Sequence, residues 1–190
     1  MPSRALREWR TTQRAELDRL EAAARSSQPA LRQQLVDAYI LWPAGGFQLY
    51  CRSLHDEAVD HAVGSVRPAS AGVVMSQVLL RNRHLDRGNA HPAALADDFR
   101  WLAYDFWADL LQQDPRNERR RRLLDQLNVW RNAIAHQALP PSGGNATRTA
   151  GTTRTLHWAL LWRANCSALA QQMDKFVRTS LTNQFGVKPW

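Results

Sequence analysis

The sequence predicts an all-α protein, a bundle of amphipathic helices. Apolar residues recur at three- and four-residue intervals over most of the chain, the period of a helix with one buried face. No stretch joins alternating apolar residues to a tight-turn dipeptide, so no β-hairpin is expected. A chain of 190 residues with 44% hydrophobic content suffices for one packed core.

Ser3 to about Arg25 carries Leu6, Trp9, Leu17, Leu20 and Ala24 between Arg and Glu, an amphipathic first helix. Gln28-Pro29 interrupts it. Leu31, Leu35, Ala38, Tyr39 and Trp42 then repeat at helical spacing until Pro43-Ala44-Gly45-Gly46, which is expected to break or kink the path. Another helix is expected from Phe47 to Val63, with Leu49, Tyr50, Leu54, Ala58 and His61 on its apolar side. Gly64 to Pro92 reads as a connector holding one short helix near Val73 to Leu80. Leu95, Phe99, Leu102, Phe106 and Leu110 fall at i, i+4, i+7, i+11 and i+15, which predicts one continuous core helix. Asp114-Pro115 ends it, and the next helix is expected from near Arg116 to about Leu139, before Pro140-Pro141. SGGNATRTAGTTRT reads as a polar loop, and Leu156 to Leu181 as a long last helix.

A formal charge of +8 and a pI near 10.6 favour a polyanionic partner, since Lys and Arg gain free energy when phosphates release counterions. No apolar run is long enough to span a bilayer, and MPSRALREWR has no apolar segment after its charged start. The expectation is a cytoplasmic protein without a membrane partner. Cys51 and Cys166, far apart and without C-x-x-C spacing, read as reduced core thiols.

The stretch LNVWRNAIAHQ, Leu127 to Gln137, is unusual for a helix. Leu123, Leu127, Trp130 and Ile134 share one side of a helical wheel; Asp125, Asn128, Asn132 and His136 share another, with Arg131 three residues after Asn128. Helix propensity alone would place Lys and Glu on such a face rather than small amides. One reading makes His136 and the asparagines last-turn residues that satisfy carbonyls and the helix dipole. The other uses Arg to hold a phosphate and His to move protons near neutral pH.

Arg131-Asn132-Ala133-Ile134-Ala135-His136 resembles the R-x4-6-H signature of the HEPN superfamily, in which Asn commonly follows the Arg. The lead-in LDQLNVW and the segments AYILWPAGGFQLYCRSLHDEAV and LDRGNAHPAALADDFRWL are similar to its RiboL-PSP-HEPN branch. The resemblance spans Leu31 to Leu181, leaving residues 1–28 as an N-terminal helical extension ahead of a domain at 29–190. It implies an antiparallel bundle that dimerises and, in catalytic members, cleaves RNA without a metal. Transesterification needs a base for the 2′-OH, an acid for the 5′ oxygen and positive charge near the phosphate. One chain supplies one motif histidine, so a two-fold homodimer joining two copies of this helix would supply the second. On that basis His136 is expected to transfer protons, Arg131 to stabilise the phosphate, and Asn132 to orient its neighbours or the ribose.

Arg119, Arg120, Arg121 and Arg122, one turn or more upstream, are candidate RNA contacts beside Asn128, Arg148 and Arg154, although such arginine runs are often only a solvated face. Of the eight tryptophans, all but Trp190 read as core, Trp190 alone as a candidate for base stacking. The histidines at 55, 61, 84, 91, 136 and 157 lack metal-ligand spacing, Asp97-Asp98 reads as a solvated pair, and SGGNATRTAG lacks the ending of a phosphate loop. No metal or cofactor is expected. Toxin members of the family imply an antitoxin or other protein partner. Modification of a Tyr two residues after the His is not supported, because Gln137-Ala138 follow. Three functions stand: a metal-independent endoribonuclease in defence, toxicity or stress; a non-catalytic HEPN-type module binding RNA or protein; and an unrelated helical adaptor whose Arg131 and Asn132 make a dimer contact.

Overall fold

The structure, a computed structural model, describes residues 1–81, 83–103, 105–137, 148–149, 152–186 and 188–190, without the side chains of 148, 149, 152 and 153. Among these residues the chain is an all-α bundle: α1 (Arg4–Ser26), α2 (Pro29–Ser65), α3 (Ala69–Arg81), α4 (Pro92–Asp98), α5 (Phe106–Gln113), α6 (Asn117–Ala135) and α7 (Leu156–Phe185). Single 3-10 turns occupy His84–Asp86 and Arg100–Leu102. Where the sequence reads only as a polar loop without a hairpin, β1 (Arg148–Thr149) pairs antiparallel with β2 (Thr152–Thr153). Two-residue strands are too short to leave an alternation in sequence. No helix among the described residues is long and apolar enough to cross a membrane.

α2 is the central helix and packs against α1, α3, α6 and α7. The expected break at Pro43 does not occur: α2 runs unbroken for 37 residues with Pro43 buried inside it. Val36, Tyr39, Ile40, Pro43, Phe47, Tyr50, Leu54, Ala58 and Ala62 are all buried at three- and four-residue steps, so the apolar phase never resets. An interior proline costs about 3 kcal/mol, and burial on both sides of it offsets that cost. Gly46 has a separate purpose. A Cβ there would meet the amide end of the Gln13 side chain of α1, so the glycine leaves room for that side chain. Leu31, Leu49 and Trp42, expected on apolar faces, are exposed.

Ala5, Leu6, Trp9 and Leu17 of α1 join the same core as α2 and α7. The first amides of α1 all find acceptors. Glu57 accepts from Arg4 N and Ala5 N (2.9 and 2.6 Å), and Ser3 Oγ accepts from Leu6 N (3.0 Å). Ser3 N in turn donates to buried Asp174 (3.0 Å). Cys51 and Cys166 are free and buried, and burial pushes the Cys166 thiol up to about 12.

The single core helix expected across Leu95 to Leu110 is instead two. Ala103 is extended, and Asp105 caps α5 by accepting from Trp107 N and Ala108 N (3.1 and 3.0 Å). The five apolar residues are nevertheless all buried, and Phe99 stacks on Phe106 with centroids 5.5 Å apart. Asp98 is likewise not a solvated residue. It is buried, and its carboxylate accepts from His84 N and Leu85 N, both at 2.8 Å. Trp190, the candidate stacking ring, is half-buried against the core.

Asp98→Ala is expected to lower unfolding free energy by about 2–3 kcal/mol, because two inward amides lose their acceptor. Asp97→Ala should cost under about 1 kcal/mol, since it removes only surface ion pairs to Arg100 and His84. Urea denaturation of the two variants measures the contrast.

Candidate functional site

The site is built on α6. Its start is fixed by Asp114, which accepts from Arg116 N and from the guanidiniums of Arg116 and Arg120. Those two arginines hold the Asp114 carboxyl well below the usual carboxylate range. Asn165 Nδ2 of α7 donates to Arg120 O (3.0 Å), and Leu123, Leu124, Leu127 and Trp130 bury the inner face. Arg122, Asp125, Val129, Asn132 and His136 are left exposed along one outer stripe. At 1.5 Å per residue the stripe extends about 21 Å.

The helix ends sooner than its pattern suggests. His136 is the C-cap rather than an interior residue, its N–H donating to Asn132 O (3.0 Å). Gln137 takes a left-handed φ of 53°, which no further helical turn can follow. Leu139 and residues 140–147, expected as the end of this helix and the following loop, lie outside the described residues.

Asn132 is the hub of the motif. Arg131 leaves the helix on its half-buried side, and its Nη1 turns back to donate to Asn132 Oδ1 (3.1 Å). Asn89 Nδ2 donates to the same oxygen (2.6 Å) from the segment between α3 and α4. The Asn132 amide nitrogen is thereby turned away from both, and His136 follows one helical turn later on the same face. Asn89 is a site residue that periodicity missed; its only signal was the turn-rich RGNAHP within the segment that resembles the family.

That segment is clamped from both sides. Gln48 Nε2 of α2 donates to Leu85 O and Gly88 O (3.0 and 2.6 Å), and Asn128 Nδ2 of α6 donates to Ala90 O (3.2 Å) and Leu124 O (2.9 Å). Asn128, expected to touch RNA, is therefore an inward strut, 7% exposed. His91 caps α4, its Nδ1 accepting from Ala94 N (3.3 Å).

Other expected contacts divide. Arg120 is internal, paired with Asp114 at 2.8 Å, and Arg121 is partly engaged by Glu118 at 3.4 Å. Arg119 and Arg122 are exposed and make no ion pair among the described residues. A helix advances about 100° per residue, so four consecutive arginines cannot share one face. Arg154 is not a free flap residue, because it pairs with Asp37 of α2 at 3.2 Å. Arg148 sits in β1, which lies beside α6, but its side chain is outside what is described.

Behind the clamped segment, buried Arg83 and His55 meet partly exposed acids. Arg83, 8% exposed, donates to Asp56 (2.5 Å), to Asp86 (2.8 Å) and to Arg52 O (3.3 Å). His55, fully buried, places Nε2 2.9 Å from Asp98 O and 3.2 Å from Trp101 Nε1, with Nδ1 3.5 Å from Arg83 Nη1. Burial first, and the Arg83 charge second, lower the His55 pKa. Among the described residues no cluster of three or more His, Cys, Asp or Glu could hold a metal.

Comparison of the chain with protein-family models, with curated proteins and with solved structures returns no match.

His55 sets a pH dependence. Its folded-state pKa lies below the unfolded value of about 6.5, so below that pH the unfolded chain binds more protons and stability falls. Denaturation midpoints should therefore drop between pH 7 and pH 5, and the drop should shrink in His55→Gln.

Proposed function

We propose that the chain is a metal-independent endoribonuclease of the HEPN type, acting as a homodimer in defence, toxicity or stress response. The observation that carries this reading is the end of α6, where half-buried Arg131 donates to exposed Asn132 and His136 lies exposed one turn further on. Val129, an exposed apolar residue one turn before Asn132, offers a second copy an apolar contact next to the motif. Arg119 and Arg122 leave positive charge free on the same helix for a phosphate backbone.

The chemistry follows from the groups present. His136 of one copy removes the proton of a ribose 2′-OH, whose oxygen attacks the adjacent phosphorus. As the 2′-O–P bond forms and the P–O5′ bond breaks, His136 of the second copy protonates the departing 5′ oxygen. The products are a 2′,3′-cyclic phosphate and a 5′-hydroxyl. Arg131 offsets the charge on the phosphoryl oxygens, and Asn132, its oxygen already satisfied by Asn89, presents amide hydrogens to substrate or to the partner copy.

One observation favours the second reading, a non-catalytic module for RNA or a protein partner. The Arg131 guanidinium is already engaged by Asn132 within the chain. Catalysis requires phosphate to be held by the N–H donors of Arg131 other than the one given to Asn132.

Incubation of wild-type protein with labelled single-stranded RNA in EDTA should give products with cyclic-phosphate ends. His136→Ala should lose about 10²- to 10⁴-fold in rate, and Arg131→Ala should also be severely impaired, with both variants still dimeric. Intact RNA that is nevertheless bound by the wild type would select the non-catalytic module.

A further inference from the structure

Upstream of the motif on the same helix, α4, α5 and α6 enclose an open groove of about 620 Å³. That volume falls within the range of about 300–1,000 Å³ typical of small-ligand sites. One wall is apolar: Pro92, Ala93 and Ala96 of α4 with Trp107 of α5. The indole is locked, because its Nε1 donates to Pro92 O (2.8 Å), so the wall is preformed. The other wall is polar, comprising Arg121, Arg122, Asp125 and Gln126 of α6, and His91 stands at the mouth.

The polar groups divide into acceptors and donors. The Asp125 carboxylate makes no ion pair among the described residues, although two arginines line the same groove. Gln126 Oε1 is buried without a hydrogen-bond partner, an acceptor that lacks a donor. Because His91 Nδ1 accepts from Ala94 N, the neutral ring carries its proton on Nε2 and offers a donor. Arg122 is exposed and supplies a cation that can reach a phosphate.

We propose that this groove is a nucleobase subsite selective for guanine, placed beside the proposed cleavage centre so that it selects the RNA sequence to be cut. The proposal rests on the ribonuclease reading for its biological use, but not for its chemistry. Guanine presents two adjacent donors on its Watson–Crick edge, N1–H and the N2 amino group, which match the two oxygens of a carboxylate such as Asp125. Cytosine and adenine each offer one amino group beside a ring acceptor, and uracil a single N–H between two carbonyls, so none can satisfy the carboxylate twice. His91 Nε2–H complements O6 or N7, the Trp107 wall packs against the purine, and Arg122 takes the phosphate. The 87–91 segment couples the two places, since Asn89 binds Asn132 at the motif while His91, whose N–H donates to Asn89 O (2.8 Å), borders the groove.

Titration of the full chain with 5′-GMP, AMP, CMP and UMP, followed through the Trp107 indole and His91 ring resonances, tests the groove directly. GMP should bind about tenfold or more tightly than the other three. Asp125→Asn should erase that preference without changing the thermal midpoint, and Arg122→Ala should weaken all four alike. Equal binding of the four, absence of binding, or a preference that survives Asp125→Asn overturns the proposal. RNA cleavage is scored separately. GMP selectivity in a protein that cuts no RNA leaves the subsite standing and removes the ribonuclease reading, whereas cleavage without GMP selectivity does the reverse.

Discussion

The carboxylate of Asp98 holds the chain between α3 and α4 in place, and the arrangement at the end of α6 depends on it. By accepting from His84 N and Leu85 N it fixes the turn that carries Leu85 into the core. From there Gln48 of α2 holds Leu85 O and Gly88 O, and Asn128 of α6 holds Ala90 O. Arg83 adds its pairs to Asp56 and Asp86 at the start of the same segment. Asn89 then arrives 2.6 Å from Asn132 as a consequence of contacts made elsewhere. One group of the surface motif is thus positioned by hydrogen bonds that reach back to buried Asp98 and Asn128. Such networks are costly if half satisfied and rigid if complete.

Much of this architecture was legible in the sequence, and the failures have physical causes. α1 could be read to within about a residue at each end, and α7 from its first residue although it runs four residues past Leu181 to Phe185, because both carry an apolar helical repeat; the caps Ser3, Thr155 and Gly186 emerge only in the structure. Pro43 misled because a local penalty of about 3 kcal/mol is visible in sequence while the burial that offsets it is not. The helix across Leu95 to Leu110 misled for the opposite reason. Its apolar spacing is right and all five residues are buried, yet Asp105 caps a new helix within it, a break that apolar periodicity does not register.

At the candidate site the same division holds. Arg131, Asn132 and His136 were legible because small amides and a histidine on a helix face are out of keeping with helix propensity. Asn128 belonged to the same stripe by spacing but faces Ala90, a partner 38 residues away in sequence that no periodicity can reveal. The arginines show the limit of composition. A net charge of +8 points to an anionic partner, yet Arg120, Arg154, Arg163 and Arg83 are all spent on internal acids. Only the structure separates those that hold the fold from Arg119 and Arg122, which remain available.

In the proposed composite site, catalysis needs two copies of the α6 end in one cleft. The most direct test is a tandem protein, two copies of the chain joined by a flexible linker, with His136→Ala in one copy alone and RNA cleavage measured against the unmutated tandem. A composite site that uses both histidines predicts that the singly mutated tandem falls to the level of the doubly mutated one. Half of the unmutated activity would mean that each chain carries a complete site of its own, and would contradict the shared cleft.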